Sequence, residues 1–267
     1  MPIYEPIQSD SASGTHIYIA GNFSYANVDP KECDGRTPTD GEGIIFDSFD
    51  GSQGGLSKGY AAQAVIYNNI VVANGEKGLE VSRNQAGSSH AVVYVNQNTS
   101  WGNLTDPNQT WQGCGEVAVQ QASDTHVSDN LVSTKSATAC GGNPIYALTV
   151  EAGDDTDSVT DNFAYGYDGY NTFVYDSGSF SLGSTNHLGV SPDFTNPVAP
   201  GAPKCGGTAN VPACMASVVA DFAPKSGAAS QGFGYQKPSS TSVHDPLFPH
   251  WLCTANLPSG LVTMGCS

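Results

Sequence analysis

Short runs that are apolar at every second place recur along the chain: His16 to Ala20, Ala64 to Tyr67, Ala91 to Val95, His126 to Ser128 and Ser158 to Thr160. Each is followed by a motif that opens on asparagine: Asn22-Phe23-Ser24-Tyr25, Asn69-Ile70-Val71-Val72, Asn98-Thr99-Ser100-Trp101, Asn130-Leu131-Val132-Ser133 and Asn162-Phe163-Ala164-Tyr165. Alternation of period two predicts strands, and no i, i+3, i+4 spacing is sustained beyond a turn. A second set of strands is predicted between these motifs: Gly43 to Asp47, Gly78 to Val81, Glu116 to Val119, Ala147 to Val150 and Thr172 to Tyr175. Self-similarity at roughly thirty residues marks a repeat architecture. Two strands per repeat with no helix between them rule out a βαβ unit, which needs a crossover helix. The remaining arrangement is a coil in which each strand stacks in parallel on its equivalent in the next turn. An asparagine at a fixed corner can then hydrogen-bond the asparagines above and below it, satisfying polar groups that the coil would otherwise bury.

The repeats run to about residue 189 without a linker, and the pattern then changes. Ten of the 16 prolines lie beyond Gly189 and no alternation survives there. Proline removes ladder donors, so residues 190–267 are expected to form an irregular tail that packs along or caps the coils of residues 1–189. Phe222, Phe233, Tyr235, Phe248 and Trp251 give that tail apolar groups to bury.

Composition narrows the function. Nine Lys plus Arg against 25 Asp plus Glu give a formal charge of −16, which repels phosphate backbones and anionic lipid surfaces, so neither nucleic acid nor membrane is an expected partner. No apolar run is long enough to span a bilayer. The start, Met1 to Glu5, carries no basic region followed by an apolar stretch. Of the seven cysteines, spacing pairs Cys205 with Cys214, Cys253 with Cys266, and Cys114 with Cys140, leaving Cys33 over. Such pairing implies an oxidising compartment, so the protein is read as secreted or periplasmic, and as a monomer.

Ionisable residues concentrate on the second strand set. Asp40, Glu42, Asp47, Asp50, Glu76, Lys77, Glu80 and Arg83 fall within two successive repeats. Carboxylates gathered on a rigid sheet either bind a hard cation through oxygen or raise one another's pKa. Both outcomes point to a candidate active site.

The stretch Thr39 to Asp47, followed one repeat on by Asn68 to Val81, resembles secreted right-handed parallel β-helix proteins of the pectate-lyase-like superfamily, and Ser191 to Phe194 and Asp221 to Ala228 are similar to their closing segment. The resemblance implies an all-β fold, a single-stranded right-handed parallel β-helix, with several coils upstream of Gly14. Within the superfamily, Asp40-Gly41 and Glu76-Lys77-Gly78-Leu79-Glu80 resemble the calcium-binding pieces of family nine pectate lyases, which makes Asp40, Glu76 and Glu80 the expected Ca2+ ligands. Lys77 replaces one acid of that pattern. The coil that carries those enzymes' catalytic lysine reads Glu116 to Gln120 here, with no Lys or Arg. The base of a β-elimination on a uronic-acid polysaccharide would then be Lys77 or Arg83, unless Lys77 serves only to neutralise Glu76, Glu80 and Asp40.

Two other classes stay open. Hydrolysis needs two carboxyls across a sugar ring, for which Asp47 with Glu80 or with Asp50 is the candidate pair. A non-catalytic surface protein would bind sugar through aromatic residues such as Trp101, Trp111, Tyr167 and Tyr170. Glu42, Asp50, Trp101 and Trp111 are the expected substrate-binding residues, and Asp47, Lys77 and Arg83 the expected catalytic ones.

Overall fold

Among the described residues of the computed structural model, seventeen strands fall into three sheets, and every pairing between them is parallel. The structure describes residues 15–28, 41–52, 59–85, 90–106, 114–137, 142–151, 157–175, 181–197 and 211–236. The chain visits the sheets in rotation. The first round is β1 (Thr15–Ala20), β2 (Phe23–Tyr25) and β3 (Ile44–Asp47); the second is β4 (Gln63–Tyr67), β5 (Ile70–Val72) and β6 (Leu79–Asn84). The third is β7 (Val92–Asn96), β8 (Thr99–Trp101) and β9 (Gly115–Ala122), and the fourth β10 (Thr125–Ser128), β11 (Leu131–Ser133) and β12 (Tyr146–Val150). The fifth is β13 (Ser158–Thr160), β14 (Phe163–Tyr165) and β15 (Phe173–Tyr175), followed by β16 (Ser181–Leu182) and β17 (His187–Leu188). The first sheet runs β1-β4-β7-β10-β13-β16, the second β2-β5-β8-β11-β14-β17, and the third β3-β6-β9-β12-β15.

Each round therefore has three strands where the sequence reading expects two. The alternating run and the asparagine motif after it belong to different sheets, separated by a corner. At that corner the residue before the asparagine takes a left-handed backbone: Gly21 (φ 67°), Asn68 (54°), Gln97 (54°), Asp129 (55°) and Asp161 (54°). One such residue turns the chain without interrupting the apolar pattern, which is why the bend is silent in periodicity.

The asparagines form a continuous ladder at this corner. Nδ2 of Asn22, Asn69, Asn98, Asn130 and Asn162 donates to Oδ1 of the next member at 3.1, 2.9, 3.0, 2.9 and 3.1 Å, ending on Asn186. Each backbone N–H donates to the same oxygen, as Asn98 does to Asn130 at 2.9 Å. The second Nδ2 hydrogen reaches a main-chain carbonyl of the preceding round, such as Ile66 O for Asn98. Every rung is thus satisfied without water, which is what allows Asn69, Asn98, Asn130 and Asn162 to be fully buried.

Alternate residues of all three sheets meet in one core, including Ile66, Val71, Leu79, Val95, Val119, Val132 and Leu148. The segment after Gly189 is not wholly irregular: it contains α1 (Val211–Asp221), with Pro212 in the first turn, where a missing N–H costs nothing. This segment lies against the outer face of the second sheet. Val218 and Phe222 join Ile70, Val72, Trp101, Leu131 and Phe163 in a second apolar cluster, with Phe233 and Tyr235 packed at its edge. Gln236 N–H donates to Asn68 Oδ1, and Asn68 Nδ2 returns a bond to Gln236 O. Phe248 and Trp251 lie outside the described residues. Cys114 is buried and disulfide-bonded, whereas Cys33, Cys140, Cys205, Cys253 and Cys266 are outside the described residues. Among the described residues no helix is long and apolar enough to cross a membrane.

Candidate active site

The turn from the second sheet into the third carries a second, shorter ladder. Asn27 N–H donates to Asn74 Oδ1, and Nδ2 of Asn74 to Asn103 Oδ1 at 2.8 Å. The next rung would fall on Lys135, counting on from the Trp101–Ser133 pair of β8 and β11. An ammonium cannot accept the hydrogens that Asn103 offers. Glu116 accepts them instead, from Asn103 N–H at 2.9 Å and Asn103 Nδ2 at 2.6 Å, with Ser100 Oγ donating at 3.0 Å. Glu116 is fully buried, and burial pushes its pKa up to about 7 against the pull of these donors. The approach is so close that Gly78 cannot carry a side chain: a Cβ there would lie 2.2 Å from Ser100 Oγ and 2.7 Å from Glu116 O.

Four of the expected site residues gather beside this corner. Lys77 Nζ lies 3.1 Å from Glu76 Oε1 and 3.4 Å from Glu80 Oε2, and all three side chains are at most 5% exposed. Glu42 faces Glu76 and accepts from the Gly41 N–H at 3.1 Å. No donor reaches Glu76 Oε2 while both carboxyls are ionised, so Glu42 and Glu76 share a hydrogen bond only when one of them holds a proton. Desolvation, and the acids beside them, raise the pKa of Glu76 and Glu80 despite Lys77. Burial pulls Lys77 down, but Glu80, Glu76 and Glu42 outweigh it and the net shift is upward. An amine held as ammonium is a poor base, so Lys77 does not fit the proton-abstracting role expected of it. Its place is that of a buried counter-ion, the alternative that the sequence also offers.

Of the three expected Ca2+ ligands, Asp40 lies outside the described residues. Glu76 and Glu80 do not fit a calcium site, because the Lys77 ammonium stands between them and already engages one oxygen of each. No group of three or more acidic, histidine or cysteine side chains among the described residues is arranged to hold a metal ion.

Asp47, Asp50 and Arg83 meet at the other end of the same strands. Register places Asp47 opposite Ser82, one residue before Arg83, and Arg83 Nη1 is 3.7 Å from Asp47 Oδ2. That is an ion pair beyond direct hydrogen-bond length, with the two side chains 40% and 32% exposed. Asp50 N–H donates to Arg83 O, and its carboxylate accepts from Ser52 N–H at 2.8 Å. The structure therefore splits the expected site in two: a buried cluster at the start of β6 and an accessible Asp47–Arg83 pair at its end.

Trp101 is corrected. It is 6% exposed, its ring packs 5.3 Å from that of Phe222, and Lys135 Nζ stands 5.8 Å from its centroid, so it does not present a face to sugar. Trp111 lies outside the described residues. Sequence reasoning missed the ladder role of Glu116, and also a polar column on the first sheet where Tyr94, His126 and Ser158 are register partners. There His126 Nδ1 is 2.7 Å from Ser158 Oγ and His90 Nε2 is 2.5 Å from Asp124 Oδ2. Desolvation lowers the His126 pKa.

No protein-family model, curated protein or solved structure matches the chain.

Proposed function

We propose that this chain is a single right-handed parallel β-helix, secreted or periplasmic and monomeric, that acts on a uronic-acid-containing polysaccharide at the outer face of its third sheet. The observation that carries this reading is the accessible Arg83, loosely paired at 3.7 Å with Asp47. A guanidinium in that state keeps N–H donors for the planar carboxylate of a uronate, which it binds in two-pronged fashion. In a β-elimination Arg83 neutralises the substrate carboxylate and Asp47 takes the C5 proton. The electron pair forms the C4–C5 double bond, the C4–O bond breaks, and water supplies the proton to the departing oxygen. Lys77 holds Glu76 and Glu80 at the start of β6 and touches neither reacting group, and no step runs through a metal ion.

A second reading rests on the raised pKa of Glu80, a carboxyl that keeps its proton nearer neutrality than usual, as a hydrolase acid must. Incubation with a panel of polyuronates separates the two. Elimination yields an unsaturated product that absorbs in the ultraviolet, and Arg83→Ala should lower its rate about a hundredfold, with Arg83→Lys intermediate. New reducing ends without that absorbance would replace elimination by hydrolysis. Binding without any product would make the protein a non-catalytic glycan binder.

A further inference from the structure

The connection from β14 into β15 carries the most exposed aromatic rings among the described residues: Tyr170 is 75% exposed and Tyr167 41%. Rings this open to water contribute little to the core. The backbone that carries them is nevertheless tied down. Gly169 N–H donates to Gly166 O at 2.8 Å and Tyr170 N–H to Tyr167 O at 3.0 Å. The Thr172 hydroxyl closes the turn from the other side, accepting from Gly166 N–H and donating to Gly169 O, both at 3.2 Å. Gly166 tolerates no side chain, since a Cβ would fall 1.6 Å from Tyr170 O, and Asp168 and Gly169 both take left-handed backbones, at φ 51° and 81°. A rigid turn that holds two aromatic residues in water is built for stacking rather than for packing.

We propose that the Tyr167–Tyr170 turn is a stacking subsite for an uncharged pyranose ring of the same polysaccharide that Arg83 holds. The proposal rests on the reading of the third sheet as glycan-binding and names the substrate more narrowly. Apolar faces of sugar rings stack on aromatic rings, as other flat apolar surfaces do. Asp168, exposed between the two tyrosines, accepts hydrogen bonds from sugar hydroxyls and repels a uronate carboxylate. In the third sheet β15 lies three strands from β6, and register matches Phe173 to Leu79, so the turn before β15 and Arg83 near the end of β6 are separated by roughly 14 Å across the strands and roughly 23 Å along them, a span of about 27 Å that an extended oligosaccharide of several rings covers. One glycan reaches both points. The substrate class is therefore a heteropolysaccharide in which neutral sugars are interspersed with uronic acids.

Affinity electrophoresis against three polymers tests this: a mixed neutral and uronate heteropolysaccharide, a homopolyuronate and a neutral homopolymer. Tyr170→Ala should bind the heteropolymer about fivefold more weakly and the homopolyuronate as wild type does, Tyr167→Ala should show a smaller loss, and Tyr170→Trp should restore binding. Melting temperatures equal to wild type would confirm that the variants are folded. The inference is overturned if Tyr170→Ala binds the heteropolymer unchanged, if wild type binds only the homopolyuronate, or if the alanine variants instead abolish a self-association seen by sedimentation. A wild type that binds none of the three polymers removes the glycan reading of the Arg83 face itself, and this subsite with it.

Discussion

Two corners of this molecule solve the same problem with different chemistry. At the corner between the first and second sheets, six asparagines hydrogen-bond one another from Asn22 to Asn186, and every group in the stack is neutral. Where the second sheet turns into the third, the stack has three asparagines and stops at Glu116, because the following round places Lys135 where an acceptor is needed. A buried carboxylate completes the hydrogen bonds but brings an ionisable group into the protein interior, and the Glu42, Glu76, Lys77 and Glu80 cluster lies beside it. The asparagine stack itself contains no group that titrates. The carboxylate corner is where the fold is sensitive to it, and where its ionisable chemistry collects.

Breaking the charged corner should cost most. Lys77→Met leaves Glu76 and Glu80 without their counter-ion, and unfolding in denaturant at pH 8 should show a loss of about 3–5 kcal/mol. The loss should shrink as pH falls from 8 through the Glu80 pKa of about 7, since protonated carboxyls no longer require the ammonium. Breaking the neutral corner comes next. Asn98→Ala strips the donors and acceptor from the middle of the ladder and orphans groups on Asn69, Ile66 and Asn96; it should cost about 3 kcal/mol at every pH. The same change at Asn22, on the exposed end, should cost about 1 kcal/mol or less.

Glu116→Gln sharpens the contrast. Because the folded pKa of Glu116 is raised from 4.5 to about 7, the folded state binds the proton more tightly than the unfolded chain does. Its contribution to stability is full below pH 4.5 and is lost as pH rises through 7, to a total of about 3 kcal/mol. The glutamine variant should lose that slope between pH 4.5 and 7. It should also sit about 1 kcal/mol lower at acid pH, because its amide nitrogen cannot accept from Asn103 Nδ2. Asp47→Asn is the mildest change: a half-exposed pair at 3.7 Å should move stability by less than about 0.5 kcal/mol, while the activity assay responds.

What the chain shows in advance follows the same division. The ladder positions Asn22, Asn69, Asn98, Asn130 and Asn162 are legible because each follows an alternating run at a recurring interval. Asn186 is not, because it comes only 24 residues after Asn162 and is flanked by two-residue strands. The third strand of each round is hidden because a single left-handed residue makes the corner. The Lys77 pairing is local in sequence and could be weighed beforehand. The ladder role of Glu116 could not, because its partners Ser100 and Asn103 are set by the return of the chain within one round. Trp101 looked available because what covers it, Phe222, lies more than a hundred residues away.

Site-resolved carboxyl titration by NMR of glutamate-labelled protein reads the charged corner directly. The Glu116 resonance should titrate near pH 7, and Glu76 and Glu80 well above the ordinary carboxylate range. Midpoints for all three close to the ordinary glutamate value of 4.5 would mean that these groups are solvated, and the contrast between the two corners would be wrong.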